Sequence, residues 1–144
     1  MEKRFYLDSN VFISFVREEI DSALNLRFVD SENFFAFCRK EKCVLILSGL
    51  FFMEVERVIS LKKEDILSEF NRLKIGIELV EKKPLRKLVS KIIKETKIHF
   101  ADAVHIAVAC ENKADAIITW NKKDFAKAQK FVPCFTPSEI LDRI

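Results

Sequence analysis

Short apolar runs, separated by longer segments of helical periodicity, set the pattern of this chain. "RFYLD" (4–8) is a β-rich run ending on Asp8, and "CVLIL" (43–47) is apolar throughout. "IGIELVE" (75–81) and "DAIITW" (115–120) have strand length, and "FVPCF" (131–135) is a weaker strand. An unbroken apolar run of this length predicts a strand buried on both faces. "VFISFVR" (11–17) predicts a helix capped by Ser9 or Asn10. Further helices are expected over about 21–41, 49–60 and 63–73, from Pro84 in a first turn to Thr96, and over about 100–112. "KKDFAKAQ" (122–129) predicts a short helix, and "TPSEILDRI" a closing one with Thr136 as cap and Pro137 in first position.

Short apolar strands alternating with helices point to an α/β fold with a parallel sheet covered on both faces. The 144 residues make one ordinary domain, without repeat, linker or low-complexity segment. Composition refines this picture only slightly. With 49% hydrophobic and 33% charged residues the chain is globular, and 2 Gly and 3 Pro leave little room for long loops. No apolar run reaches the roughly 18 residues of a membrane span, and the start lacks a signal-like apolar stretch, so a cytoplasmic location is expected. Cys38, Cys43, Cys110 and Cys134 form no C-x-x-C pair and read as small buried hydrophobes.

A net charge of +3 is too small to announce a nucleic-acid binder. The distribution says more: Lys82, Lys83, Arg86, Lys87, Lys91, Lys94 and Lys97 face only Glu81 and Glu95. This strip is either a solvated helix face or a phosphate-contacting surface, with Arg86, Lys87, Lys91 and Lys94 as the RNA-binding candidates.

Four acids or amides stand where the pattern does not call for them. "HFADAVHIAVA" (99–109) is apolar nearly all round, as a buried helix is, yet carries Asp102 in its first turn. The helix dipole accounts for part of this, favouring an anion there by roughly 0.3–1 kcal/mol. On a wheel of about 100° per residue, Leu50, Phe51, Phe52, Val55, Val58, Ile59 and Leu61 fill one arc, and Glu54 falls inside it. Asp8 ends the first strand and Asn121 follows "DAIITW", so both belong to the carboxyl edge of the sheet, where α/β folds bind ligands. Helix capping by Asp8, and a capping box from Asn121 to Asp124, are the plainer alternatives. Two carboxylates about 5 Å apart repel by roughly 3 kcal/mol at an effective dielectric near 20. Three acids at one edge therefore call for protons or cations, and hard divalent ions fit oxygen ligands best. His99 and His105 lack zinc-site spacing, and His105 is expected to pack at the pocket border or to bond backbone.

Taken together and in order, "FYLDSNVFISF", "LSGLFFMEVERV", "HFADAVHIAVA" and "AIITWNKKDF" resemble the PIN domain over residues 4 to about 125. The resemblance implies a three-layer α/β/α sandwich with a mainly parallel sheet. It also implies an Mg²⁺- or Mn²⁺-dependent ribonuclease that leaves a 5′-phosphate and a 3′-hydroxyl. Carried over by motif, the acids are Asp8, Glu54 and Asp102; the fourth position falls on Asn121, where the family often has Asp. An uncharged Asn121 weakens a second metal or moves it to Asp124. Ser9 and Thr119 match small hydroxyl positions near the metal site, and Asn10 one that orients the first acid. A stand-alone domain of this length is similar to VapC-type toxins, which form homodimers and are held inactive by a small antitoxin. Phe-rich "FVDSENFFAF" (28–37) is then either a partner surface or core. The alternative is a catalytically weak or inactive module that binds RNA or protein. A haloacid-dehalogenase-like phosphatase is disfavoured, because "DSN" lacks the second acid of D-x-D.

Overall fold

A computed structural model describes residues 2–143. Five strands run parallel: β1 (Arg4–Leu7), β2 (Val44–Ser48), β3 (Gly76–Val80), β4 (Ala116–Ile118) and β5 (Cys134–Phe135). Their order across the sheet is β3-β2-β1-β4-β5. The chain moves outward from β1 to β3, then crosses back to place β4 on the other side of β1. The strand order therefore reverses between β1 and β4, where Phe5 pairs with Ala116, Tyr6 with Ile117 and Leu7 with Ile118. A crevice opens at such a reversal, beyond the carboxyl ends of the two strands.

Alternation along the strands divides the core into two. Phe5, Leu7, Leu45, Leu47, Ala116 and Ile118 point to one face. That face is covered by α1 (Ser9–Val16), α2 (Arg27–Glu41), α3 (Gly49–Ile59), α4 (Lys63–Arg72) and α8 (Pro137–Arg143). Tyr6, Ile46 and Ile117 point to the other, beneath α5 (Arg86–Thr96), α6 (Phe100–Glu111) and α7 (Lys122–Phe125), which runs on into a 3₁₀ turn at Ala126–Ala128. The result is the expected three-layer sandwich. Phe70 is the hub of the first layer, with ring centroids 5.2 Å from Phe12, 5.8 Å from Phe35 and 6.5 Å from Phe51. All four cysteines are unpaired; Cys38, Cys43 and Cys134 are buried as expected, whereas Cys110 is only partly buried. Among the described residues no helix is long and apolar enough to cross a membrane.

Several boundaries differ from expectation, each for a local reason. The second helix starts at Arg27 and not near 21. The Asp21 carboxylate accepts the backbone N–H groups of Ala23 and Asn25, both at 2.9 Å, and this local turn competes with a helix. Asp8, not Ser9 or Asn10, occupies the N-cap position of α1, and its side chain makes no capping bond because it turns to the neighbouring strand. Pro84 lies outside its helix, with Leu85 at the cap position and Arg86 the first helical residue. Phe34 and Phe35 are core residues, so the Phe-rich segment packs inward and does not offer those rings to a partner. Thr136 caps α8 as expected: its hydroxyl accepts the Glu139 N–H at 3.2 Å while the Glu139 carboxylate accepts the Thr136 N–H at 3.0 Å.

Candidate metal centre

The end of β1 places Asp8 at the strand-order reversal. Its N–H still donates to Ile118 on β4 at 3.0 Å, so the backbone is held in strand register while the side chain turns into the crevice. Asp8 is 6% exposed. Thr119, just past β4, donates its hydroxyl to Asp8 Oδ2 at 2.6 Å. Thr119 is itself held from two sides: its oxygen accepts Asn10 Nδ2 at 3.3 Å and the Asn121 N–H at 2.9 Å. Asn10 Oδ1 accepts the Trp120 N–H at 3.1 Å. Asn10 therefore reaches the first acid through Thr119 and does not touch it.

Glu54 comes from α3, on the opposite side of β1 from β4. Ser48 ends β2 and caps α3 by accepting the Phe51 N–H at 3.2 Å, which sets the start of the helix and the height of Glu54 above the sheet. The helical arc is only partly buried: Phe51 and Val55 are in the core, whereas Val58 is 45% exposed. The Glu54 side chain is 17% exposed, at the edge of that arc. Ser9, the first residue of α1, donates its hydroxyl to Glu54 Oε1 at 2.8 Å and lies 3.5 Å from Asp8 Oδ1. A hydroxyl has one proton, so the shorter contact carries the bond and the oxygen sits between the two acids.

His105 completes the arrangement, and the sequence reading assigned it too small a part. It is buried in α6, bonding neither backbone nor solvent: Nε2 meets Glu54 Oε1 at 3.1 Å and Nδ1 meets the Tyr6 hydroxyl at 2.5 Å. The Tyr6 hydroxyl also meets Ser48 Oγ at 2.8 Å. A chain of polar groups thus runs Ser48–Tyr6–His105–Glu54 through an otherwise apolar layer. Tyr6 and Ser48 gave little sign of this in the sequence. His105 gave one: a histidine one turn after Asp102 on an apolar helix needs a polar partner. One side-chain donor atom from each of Asp8, Glu54 and His105 lies within 4.8 Å of the others.

Electrostatics follow from this packing. Burial pushes the Asp8 carboxyl above its ordinary range; His105 and the Thr119 hydroxyl pull it down, and the Glu54 charge pushes it up again. Burial would also raise Glu54, but the His105 hydrogen bond and charge, with the Ser9 hydroxyl, hold it below the usual carboxylate range. Burial disfavours charge on His105, yet the Glu54 bond and the Asp8, Glu54 and Asp102 charges raise it above an ordinary histidine. The Glu54 contact and the surrounding acid charges therefore favour the protonated imidazole more than they would in an ordinary histidine. In its doubly protonated form His105 can donate to Glu54 and to the Tyr6 oxygen, which leaves the Tyr6 hydroxyl to donate to Ser48.

Asp102, half-buried in the first turn of α6, is raised by burial and by the charges of Asp8 and Asp124. It faces the same crevice but joins no group of three donors within mutual reach among the described residues. Asn121 donates Nδ2 to Asp124 Oδ2 at 3.1 Å, so these two pair with each other and no capping bond forms. Of the basic candidates, Arg86 lines a groove beside the crevice, while Lys87, Lys91 and Lys94 are exposed elsewhere on α5 and do not line it.

Two carboxylates meet here with hydroxyls and one imidazole around them, and among the described residues no lysine or arginine bridges either one. Hard oxygen donors, an unneutralised buried acid and an opening to solvent fit a divalent cation. A family model for the PIN domain matches residues 5–130. No curated protein matches the sequence. The structure is similar to the crystal structure of PAE2754 from Pyrobaculum aerophilum, with TM-score 0.57 and 14% identity, covering 99% of this chain and 97% of that one. It is also similar to a toxin-antitoxin complex from Klebsiella pneumoniae, with TM-score 0.61 and 17% identity, covering 92% of this chain and 96% of that one. At such identities the likeness to solved structures is one of fold. The family model spans the strands and helices that converge on Asp8, and with it the chain is placed in the PIN domain family, whose fold is of nuclease type.

Proposed function

We propose that this protein is a divalent-metal-dependent endoribonuclease. The observation that carries the reading is the meeting of Asp8 and Glu54 at the reversal point of a PIN sheet, where His105 contacts Glu54 but among the described residues no basic side chain bonds Asp8. Asp8, Glu54 and Asp102 would hold the ion, directly or through water, and Asn121 or Asp124 would serve a second, weaker one. Mg²⁺ or Mn²⁺ bound there supplies Lewis-acid polarisation of a phosphodiester and activation of water.

The chain's own contribution is positioning. Thr119 and Ser9 orient the two carboxylates by hydroxyl donation. Asn10 fixes Thr119, and the Ser48–Tyr6–His105 series fixes Glu54. Burial and the charges of Asp8 and Asp124 raise the proton affinity of Asp102, an effect that a bound cation would offset. Water attacks phosphorus in line, the bond to the 3′ oxygen breaks, and the products are a 5′-phosphate and a 3′-hydroxyl.

We further read the chain as the toxin of a toxin-antitoxin pair, supported by its likeness in fold to the Klebsiella pneumoniae complex. A small antitoxin protein is then the partner, with RNA as substrate. The specific observation favouring the rival, a catalytically weak binding module, is Asn121, which brings no charge and spends its amide on Asp124. One experiment separates them: Mn²⁺-dependent cleavage of RNA by the wild type, with Asp8→Asn and Asp102→Asn as controls. Loss of cleavage by about two orders of magnitude or more in both, with the circular dichroism spectrum retained, supports the nuclease. Wild-type rates in both variants would remove it.

A further inference from the structure

A groove of about 810 Å³ adjoins the acid cup, formed by the start of α3, the loop after β3, and α5 with α6. That volume is in the range of ligand pockets, about 300–1,000 Å³. The groove and the cup share two helices. On α3, Met53 lines the groove and Glu54 the cup; on α6, Phe100 and Val104 line the groove while Asp102 and His105 face the crevice.

Three features define what fits. The floor is apolar, with Val80, Val89, Ile93 and Val104 among its residues. Phe100 and Met53 stand at its lip with 69% and 68% of their surfaces exposed, an unfavourable placement for large apolar groups left in water. Lys82, Lys83 and Arg86 line it, and none has an ion-pair partner among the described residues; the acid that also lines it, Glu81, is tied to Lys63 at 2.8 Å. Apolar faces beside free cations are the complement of an unpaired nucleotide: a base with two flat faces attached to a phosphate. An apolar peptide would use the floor but not the cations. A duplex would use the cations but hides its base faces in its own stack.

We propose that this groove is a nucleobase subsite, in which an unpaired base beside the scissile bond stacks on Phe100 against Met53 while Lys82, Lys83 and Arg86 hold the flanking phosphates. The inference rests on the nuclease reading for the identity of the strand, but its test does not need cleavage. Binding of a fluorescently labelled short single-stranded RNA to the full chain is followed by anisotropy in EDTA, alongside an abasic strand of equal length and a blunt duplex. Phe100 is exposed, so its substitution leaves the fold intact.

Expected are roughly tenfold weaker binding of the normal strand by Phe100→Leu, near wild-type binding by Phe100→Tyr, and no effect of either on the abasic strand. Lys82→Ala with Lys83→Ala weakens both strands and reduces the log–log salt slope by about 1.4. Normal-strand affinity that is the same in wild type and Phe100→Leu overturns the proposal. So does equal loss in Phe100→Leu and Phe100→Tyr, or a preference for the duplex, which would reduce the groove to a phosphate-contacting surface. Absence of cleavage when Mn²⁺ is added would instead overturn the nuclease reading and leave the Phe100 dependence as measured.

Discussion

Asp8 and His105 show how single residues here serve the site against the fold. Asp8 is a buried carboxylate held by the Thr119 hydroxyl and the Ser9 backbone N–H, and burial raises its proton affinity. Asp8→Asn keeps an oxygen for Thr119 and removes the buried charge. We expect it to raise metal-free stability, by about 1 kcal/mol in urea denaturation, while abolishing the response to Mg²⁺. His105 acts the other way. Its proton affinity is higher folded than unfolded, so its contribution to stability is complete below the unfolded value of about 6.5 and fades as pH rises through the folded one. Metal-free protein should therefore lose stability above about pH 6.5, and His105→Gln should flatten that slope and cost about 1–3 kcal/mol below it. A steep slope surviving in the variant would mean that another group is titrating.

At the scale of elements, helix ends decide where the acids stand. Ser48 takes the cap position of α3 six residues before Glu54, and His99 that of α6 three residues before Asp102. The far ends are made without glycine: Lys42, Ser60 and Lys97 terminate α2, α3 and α5 in the left-handed conformation, with φ of 54°, 58° and 62°. An L side chain is strained there by roughly 1 kcal/mol, and glycine is not. Lys97 is exposed, so Lys97→Gly should stabilise the protein by about 0.5–1 kcal/mol, read as a melting temperature about 2 °C higher. Unchanged or lower melting would show that Lys97 makes compensating contacts. Element types were legible because the apolar runs are short and the helices long. The start of α2 was not, because Asp21 binds the backbone N–H groups of Ala23 and Asn25 in a local turn that hydrophobic periodicity does not register.

For the whole molecule, the metal-free site is a source of instability that a cation relieves. Asp8 and Asp102 both have raised proton affinities when folded, so their ionisation disfavours the native state increasingly as pH rises past the ordinary carboxylate value of about 3.9. A divalent ion competes with those protons and binds the native state selectively. The rise in melting temperature on adding Mg²⁺ should accordingly be larger near pH 8 than near pH 5, and differential scanning fluorimetry measures it directly. A shift independent of pH would place the ion away from these acids.

The sequence by itself determined the alternation of strand and helix, the burial of α6, and the misfit of Asp8, Glu54 and Asp102 in apolar surroundings. Those properties reside in periodicity and in the cost of desolvating charge, which act over one or two turns of chain. Only the tertiary structure decided which groups meet. The bonds that build the site join residues 51, 99 and 111 positions apart, Glu54 with His105, Tyr6 with His105 and Asp8 with Thr119. They exist because β1 lies between β2 and β4 and because α3 and α6 cover opposite faces of one sheet. No local pattern encodes that order, so His105 and its Tyr6–Ser48 support came into view, and Asp102 moved just outside the tightest group, once the layers were packed.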